Sequence, residues 1–65
     1  MERYQLRVIE EKEVLDEKVR KLSNFISSSK LFNRVTLVEQ NLMIEQCEVM
    51  WKYSDILEKR ITSFR

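Results

Sequence analysis

The sequence predicts an all-α protein, an antiparallel two-helix hairpin assembled into a symmetric homo-oligomer. Its 65 residues include neither glycine nor proline, the residues that most often break helices and form tight turns. Two runs of apolar residues at helical spacing flank one serine-rich break. Two helices enclose little core, and chains below roughly 70–80 residues usually need disulfides, metals or oligomerisation for stability. We therefore treat residues 1–65 as a single helical hairpin domain that assembles with copies of itself.

The first helix is predicted near residues 2–27. Apolar side chains recur on one face every three or four positions, with Lys12 as a polar substitution: Tyr4, Val8, Leu15, Val19, Leu22 and Ile26. Others lie off this face and indicate contacts on further sides: Leu6, Ile9, Val14 and Phe25. Three serines at 27–29 weaken the helix because their hydroxyls compete for backbone hydrogen bonds. In the connection, Leu31 and Phe32 are expected to close the open end of the core.

The second helix is predicted near residues 36–64. Thr36 and Glu39 have the spacing of a capping box, in which each side chain bonds the other residue's backbone amide. One apolar stripe, the inner stripe, consists of Met43, Cys47, Met50, Ser54, Leu57 and Ile61. A neighbouring outer stripe consists of Leu42, Val49, Tyr53, Ile56, Arg60 and Phe64. Both together are too wide for one partner helix, so we expect the hairpin mate to cover one stripe and another subunit the other.

Composition excludes several classes of function. The chain has no histidine and a single cysteine, Cys47, so we expect no metal site, no cofactor and no enzymatic activity. Cys47 lies in the inner stripe and is expected to be a buried, inert thiol. A net charge of +1 does not favour duplex nucleic acid as a partner. Apolar runs are too short for a membrane span and the charged N-terminus does not resemble a signal peptide, so a cytoplasmic protein is expected.

The remaining chemistry suits binding. Four cations flank the apolar stripes: Arg7, Lys18, Lys21 and Arg60. Each alone is typical of a solvated charge, but copies that converge on a symmetry axis would form a concentrated site for phosphate. Trp51 and Ile44 lie among charged residues. They indicate either a contact surface or partly exposed side chains packed on their neighbours.

Nearly the whole chain resembles a known family. In the first helix the matching segments are Arg7-Val8-Ile9-Glu10-Glu11-Lys12, Leu15-Asp16-Glu17-Lys18 and Lys21-Leu22-Ser23-Asn24-Phe25-Ile26. In the second they are Glu39, Leu42, Gln46, Met50, Tyr53-Ser54, Ile56-Leu57, Arg60-Ile61 and Phe64. The pattern is similar to the phage anti-CBASS cyclic-oligonucleotide sponges, whose helical hairpin also occurs in an anti-Thoeris sponge. The resemblance implies a homohexamer that acts in immune evasion by bacteriophage, in the cytoplasm of the infected bacterial host, by sequestering cyclic nucleotides without cleaving them.

The resemblance also implies two kinds of ligand site. Cyclic dinucleotides would bind between subunits at Tyr4 and Lys21. Leu6 is the alternative position that could correspond to the tyrosine of the family. Cyclic trinucleotides would bind on threefold axes at Ser23 and Arg60. Two other interpretations stay open: an oligomerisation or protein-interaction module that docks through Trp51 and Ile44, and a small nucleic-acid-binding protein, which the balanced charge disfavours.

Overall fold

The computed structural model describes residues 1–64. It consists of α1 (Arg3–Ser28), a short 3-10 helix (Lys30–Arg34) and α2 (Leu37–Ser63). The two long helices pack side by side and antiparallel in a rod of 46 × 15 × 14 Å. Both predicted helices are confirmed, and each end differs from its prediction by one residue.

The start of α2 forms half of the predicted capping box. The Thr36 hydroxyl oxygen accepts a hydrogen bond from the Glu39 amide at 3.2 Å, which satisfies one of the free amides of the first turn. The expected return bond from the Thr36 amide to the Glu39 side chain does not occur within residues 1–64, so this half of the prediction is wrong. A bond of that kind occurs at the start of α1 instead, where the Glu2 amide donates to Gln5 Oε1 at 2.8 Å.

The connection is ordered by side chains that bond its backbone. Ser29 is extended, and its hydroxyl oxygen accepts from the Leu31 amide at 3.2 Å. From α2, the Gln40 side chain donates to the carbonyls of Phe32 and Val35 at 2.9 and 3.0 Å. These bonds replace the glycine turn that the chain lacks, because they satisfy backbone groups that no helix pairs.

One of the two apolar residues in the connection closes the hairpin. Phe32 packs edge-to-face on Phe25 of α1, with ring centroids 6.1 Å apart. Leu31 is 57% exposed, so its predicted role at the end of the core is wrong. Adjacent residues of a 3-10 helix point about a third of a turn apart, so only one of the two faces the hairpin.

The core is small and lies where the predicted α1 stripe meets the inner stripe. Its buried apolar side chains are Val8, Leu15, Val19, Leu57 and Ile61. Three half-buried residues, Ile9, Met50 and Phe64, pack against it. Cys47 is half-buried, so the prediction of a fully buried thiol is wrong. It lies towards the connection, beyond the buried part of the inner stripe.

A polar cluster crosses this core. Lys12 Nζ on α1 lies 2.7 Å from Asp16 Oδ2 and 3.3 Å from the hydroxyl oxygen of Ser54 on α2. The buried Ser54 hydroxyl donates to the other carboxylate oxygen of Asp16. The hydrogen bonds from Lys12 and then from Ser54 hold the pKa of Asp16 below its ordinary value of 3.8. Lys12, the polar residue within the apolar stripe of α1, therefore forms a hydrogen bond across the helix interface.

Apart from Phe64 at its end, the outer stripe is left uncovered by the hairpin. Leu42, Val49, Tyr53 and Ile56 are between 40% and 58% exposed. Together with Val14 of α1, which is 53% exposed, they form what we call the open face. The expectation that the hairpin mate covers only one stripe is confirmed. Oligomerisation stays a prediction, because the structure describes a single chain.

Candidate functional site

Two shallow grooves cross the open face. The larger, about 470 Å³, joins the helices where Tyr53 of α2 meets Val14 and Leu15 of α1. Arg7 and Lys18 also line it, together with two glutamates. The second groove, about 420 Å³, lies along α2 and is lined by Leu42, Glu45, Gln46, Val49 and Met50. The open face therefore combines apolar surface with charges of both signs.

Arg7 and Lys18 line the larger groove from the same side of α1. They lie eleven residues apart, close to three helical turns, so their side chains project in nearly the same direction. Within residues 1–64 neither has a carboxylate within 4 Å; the ion pairs there involve Lys12, Lys21 and Lys59. With Tyr53 and the two glutamates, the groove contains charges of both signs and an aromatic ring.

The residues predicted to bind cyclic dinucleotides lie apart within one chain. Tyr4 is in the first turn of α1, 57% exposed, with its ring edge-to-face on Phe64 at 6.0 Å. Lys21 lies seventeen residues later, about 25 Å along the helix. Its ammonium is 3.1 Å from Glu17, and both side chains are largely exposed. A single hairpin therefore does not bring Tyr4 and Lys21 together, and only two different copies can.

The residues predicted to bind cyclic trinucleotides are separated in the same way. Ser23 of α1 lines a pocket beside Cys47 of α2, near the connection. Arg60 lies thirteen residues beyond Cys47, about 20 Å along α2. Arg60 is exposed and continues the outer stripe towards the end of α2. As with the first pair, a shared site for Ser23 and Arg60 requires more than one subunit.

The pocket beside Ser23 is small and mostly apolar. Its volume is about 180 Å³, and its lining comes from both helices: Ser23, Ile26, Ser27, Ile44, Cys47, Glu48 and Trp51. Trp51 is 46% and Ile44 40% exposed. The two residues that the sequence places together on one side of α2 therefore belong to the rim of a concave site, which periodicity alone does not reveal.

Sequence reasoning missed two features of these surfaces. It did not connect Tyr53 with Arg7 and Lys18, although all three line the same groove. It also did not connect Lys12 with Ser54. Each is a polar residue in an otherwise apolar stripe, and two such positions on facing helices are a signal for a buried hydrogen bond. Combining the stripes of both helices would have identified the pair.

Two kinds of site are absent from the part of the chain that the structure describes. Residues 1–64 contain no group of three or more His, Cys, Asp or Glu side chains that could hold a metal ion. Neither long helix has the length of apolar sequence required to cross a membrane. The candidate sites are the exposed grooves and the surfaces that several copies could share.

Comparison with known families identifies the hairpin. The Sequestin family model matches residues 2–63, which include both long helices and the connection. The chain belongs to the Sequestin family. The Sequestin match includes the positions of all four predicted ligand residues.

A phage protein is similar to this Sequestin chain along almost its entire length. It is a 7.5 kDa protein encoded in the denB–rIIB intergenic region of Enterobacteria phage T4. The two are 45% identical over 62 residues, which is 95% of each chain. No solved structure matches the chain. The family name and the phage relative agree with the sponge resemblance at the level of a small sequestering protein of phage.

Proposed function

We propose that the protein binds and sequesters cyclic di- and trinucleotide second messengers and releases them unaltered. In an infected bacterium this would block CBASS-type antiphage signalling, because the messenger would not reach its effector. The observation that carries the proposal is the Sequestin match over residues 2–63. The relative from phage T4 supports a role in infection. The protein would then act in the host cytoplasm, where such messengers are made, and would not be an enzyme.

The working form would be a symmetric oligomer, a hexamer by the sponge resemblance. The open face supports this because its large apolar side chains are exposed to water in the single chain: Val14, Leu42, Val49, Tyr53 and Ile56. The separation of Tyr4 from Lys21, and of Ser23 from Arg60, agrees with it if these are the ligand residues that the resemblance implies. Neither pair can act on one small ligand unless subunits contribute different members.

Each predicted residue has a chemical role in this proposal. Lys21 would pair with the phosphates of a cyclic dinucleotide, and Tyr4 of another copy would stack on a base. Arg60 would grip the phosphates of a cyclic trinucleotide with its planar guanidinium, and Ser23 would hydrogen-bond the same ligand. Symmetry matches ligand to site, since a ligand with two or three equivalent phosphates meets two or three copies of each side chain.

A direct test is to mix the purified protein with a cyclic dinucleotide or a cyclic trinucleotide and separate the complex by gel filtration. The bound fraction is then heat-denatured, and the released nucleotide is identified by mass spectrometry. Co-elution and recovery of intact nucleotide support the proposal. Recovery of a linear product would show cleavage, and elution of all nucleotide apart from the protein would contradict sequestration.

A second candidate function is a protein-interaction module without a nucleotide ligand. Exposed Trp51 and Ile44 favour it, because large apolar side chains at a surface often anchor a protein partner. In the gel-filtration test this function predicts no retention of either nucleotide. The same measurement therefore separates the two candidates.

A further inference from the structure

We infer that the pocket beside Ser23 is a purine-base pocket, with Trp51 as its stacking platform and Glu48 as the group that favours guanine. The inference rests on the proposed function, since the base would belong to the sequestered nucleotide. Ser23 was predicted to contact that nucleotide, but nothing about the sequence placed Trp51 or Glu48 beside it. The structure brings all three to one concavity.

The size and lining of the pocket indicate the part of a nucleotide that fits. At about 180 Å³ it is smaller than the roughly 300–1,000 Å³ of sites for whole drug-sized ligands, so it suits one ring system. Ile44 and Cys47 contribute apolar surface to it. The carboxylate of Glu48 would repel a phosphate at the same place. A base is therefore the suitable occupant, and the phosphates would lie outside towards cations of the assembled subunits.

Trp51 supplies the aromatic surface that such a base requires. Trp51 lines this pocket and nearly half of its total surface is exposed, so one part of the side chain is covered by the hairpin while another stays open. Bases stack on aromatic side chains whatever their identity, because each has a π-face. Stacking on Trp51 thus explains how the pocket binds a base but does not select one.

Selection follows from the charge of Glu48. A carboxylate only accepts hydrogen bonds. The Watson–Crick edge of guanine offers two neighbouring donors, N1–H and the N2 amino group, and both carboxylate oxygens can accept from it. Adenine offers one donor there, the N6 amino group, and its N1 is an acceptor that the carboxylate repels. The pocket should therefore prefer guanine when both are offered.

The single tryptophan of the chain makes the test direct. The oligomer is titrated with cyclic AMP-AMP-GMP and, separately, with cyclic tri-AMP, and Trp51 emission and calorimetric heat are recorded on the same samples. We expect both ligands to change the emission with the midpoint seen by calorimetry. Trp51→Ala should weaken binding by about tenfold or more, whereas Trp51→Phe should retain most of the affinity because it keeps a ring.

Matched charge variants test the selection step. Glu48→Gln should reduce the preference for the guanine-containing ligand by about tenfold, since one bidentate pair is lost. Glu45→Gln removes the same charge one turn earlier on α2, in a different groove, and should leave the preference unchanged. Equal effects of the two variants would overturn the role of Glu48.

The remaining outcomes separate this inference from the proposed function. Calorimetric binding with unchanged Trp51 emission and an unaffected Trp51→Ala variant would overturn the base pocket and leave sequestration standing. An oligomer that dissociates in Trp51→Ala would show that the pocket is a contact between copies, which also overturns it. No heat with either trinucleotide or with a cyclic dinucleotide would contradict the proposed function itself, and the base pocket with it.

Discussion

Ser54 on α2 donates its hydroxyl hydrogen to the carboxylate of Asp16 on α1, thirty-eight residues away in sequence. Ser54 is only 5% exposed, so this bond lies inside the helix interface. Lys12 bonds both residues, and within residues 1–64 the side-chain hydrogen bonds that join α1 to α2 all belong to this cluster. A polar group in an apolar interface is satisfied in only one alignment, so the cluster favours a single register of the hairpin.

Replacing Asp16 with alanine should destabilise the hairpin by about 1–3 kcal/mol, because two hydrogen bonds are lost and the half-buried Lys12 ammonium keeps only the more distant carboxylate of Glu58, at 3.9 Å. Asp55→Ala is the matched control: Asp55 forms the same kind of i,i+4 pair with Lys59, at 3.0 Å, but on the exposed surface. It should cost well under about 1 kcal/mol. Urea unfolding at one fixed protein concentration measures both. Equal losses would show that the cluster contributes no more than a surface pair.

Stability should also depend on pH through Asp16. Its pKa in the folded protein is lowered, so the folded carboxylate binds a proton less readily than the unfolded one. The resulting stabilisation is fully present above the ordinary value of 3.8 and is lost as the pH falls through the lowered folded pKa. Asp16→Asn should remove this part of the acid sensitivity. Thermal unfolding between neutral pH and the acid range tests it, and identical pH profiles for variant and wild type would contradict it.

Lys21→Ala should weaken cyclic dinucleotide binding by more than a hundredfold. A twofold site contains two copies of the lysine, and each charge-assisted bond contributes about 1.5–3 kcal/mol. Tyr4→Ala should cost less, about 1–3 kcal/mol per stacked base. The matched control is Lys59→Ala, since Lys59 has nearly the same exposure as Lys21 and likewise pairs with an acidic residue four positions earlier. Calorimetry measures the cyclic dinucleotide affinity of all three variants. Unchanged affinity in Lys21→Ala would show that Lys21 is not part of the dinucleotide site.

If Lys21→Ala weakens dinucleotide binding and Tyr4→Ala does not, Leu6 becomes the better assignment for the position that faces the base. Leu6 is 48% exposed and two residues later on α1, so its side chain projects on a different side of the helix from Tyr4. Leu6→Tyr should then strengthen dinucleotide binding, because it adds a stacking ring at the position that the sponge resemblance offers. Weaker or unchanged binding in Leu6→Tyr would exclude the alternative.

Arg60→Ala should abolish cyclic trinucleotide binding and leave the oligomer assembled. Arg60→Lys keeps the charge but lacks the planar fork that can hold two phosphate oxygens, so it should bind with intermediate affinity. Calorimetry with cyclic tri-AMP measures binding, and light scattering verifies assembly. Wild-type affinity in Arg60→Ala would show that the trinucleotide site lies elsewhere.

Placing a charge on the open face should dissociate the oligomer without unfolding the hairpin. Ile56 is 55% exposed in the single chain, so Ile56→Asp costs the hairpin little, but it would bury a carboxylate between copies. Thr62→Asp introduces the same residue on the same helix at an exposed position about a third of a turn from Ile56, and should remain assembled. Light scattering reports the mass and circular dichroism the helix content. An Ile56→Asp protein of unchanged mass would show that copies do not meet at this face.

Much of the hairpin was predictable because helix formation depends on local features. The spacing of apolar residues and the absence of glycine and proline identified α1 and α2, and Thr36 marked the start of α2. Leu31 was wrongly predicted to close the core because the direction in which each side chain of a short 3-10 helix points depends on how that helix packs against α1. The depth of Cys47 was misjudged for a related reason: the helices cover the inner stripe unevenly along its length.

The sequence by itself determined that this is a two-helix protein with more apolar surface than one hairpin can bury, because periodicity and composition are properties of the chain. Its resemblance to the sponges identified the four candidate residues. The tertiary structure decided how the helices align and therefore what lies beside those residues. Only the antiparallel pairing places Ser54 on Asp16, Tyr53 in one groove with Arg7 and Lys18, and Trp51 in one pocket with Ser23. The physical reason is that each neighbour comes from the opposite helix, so its position depends on long-range packing and the register that the polar cluster favours.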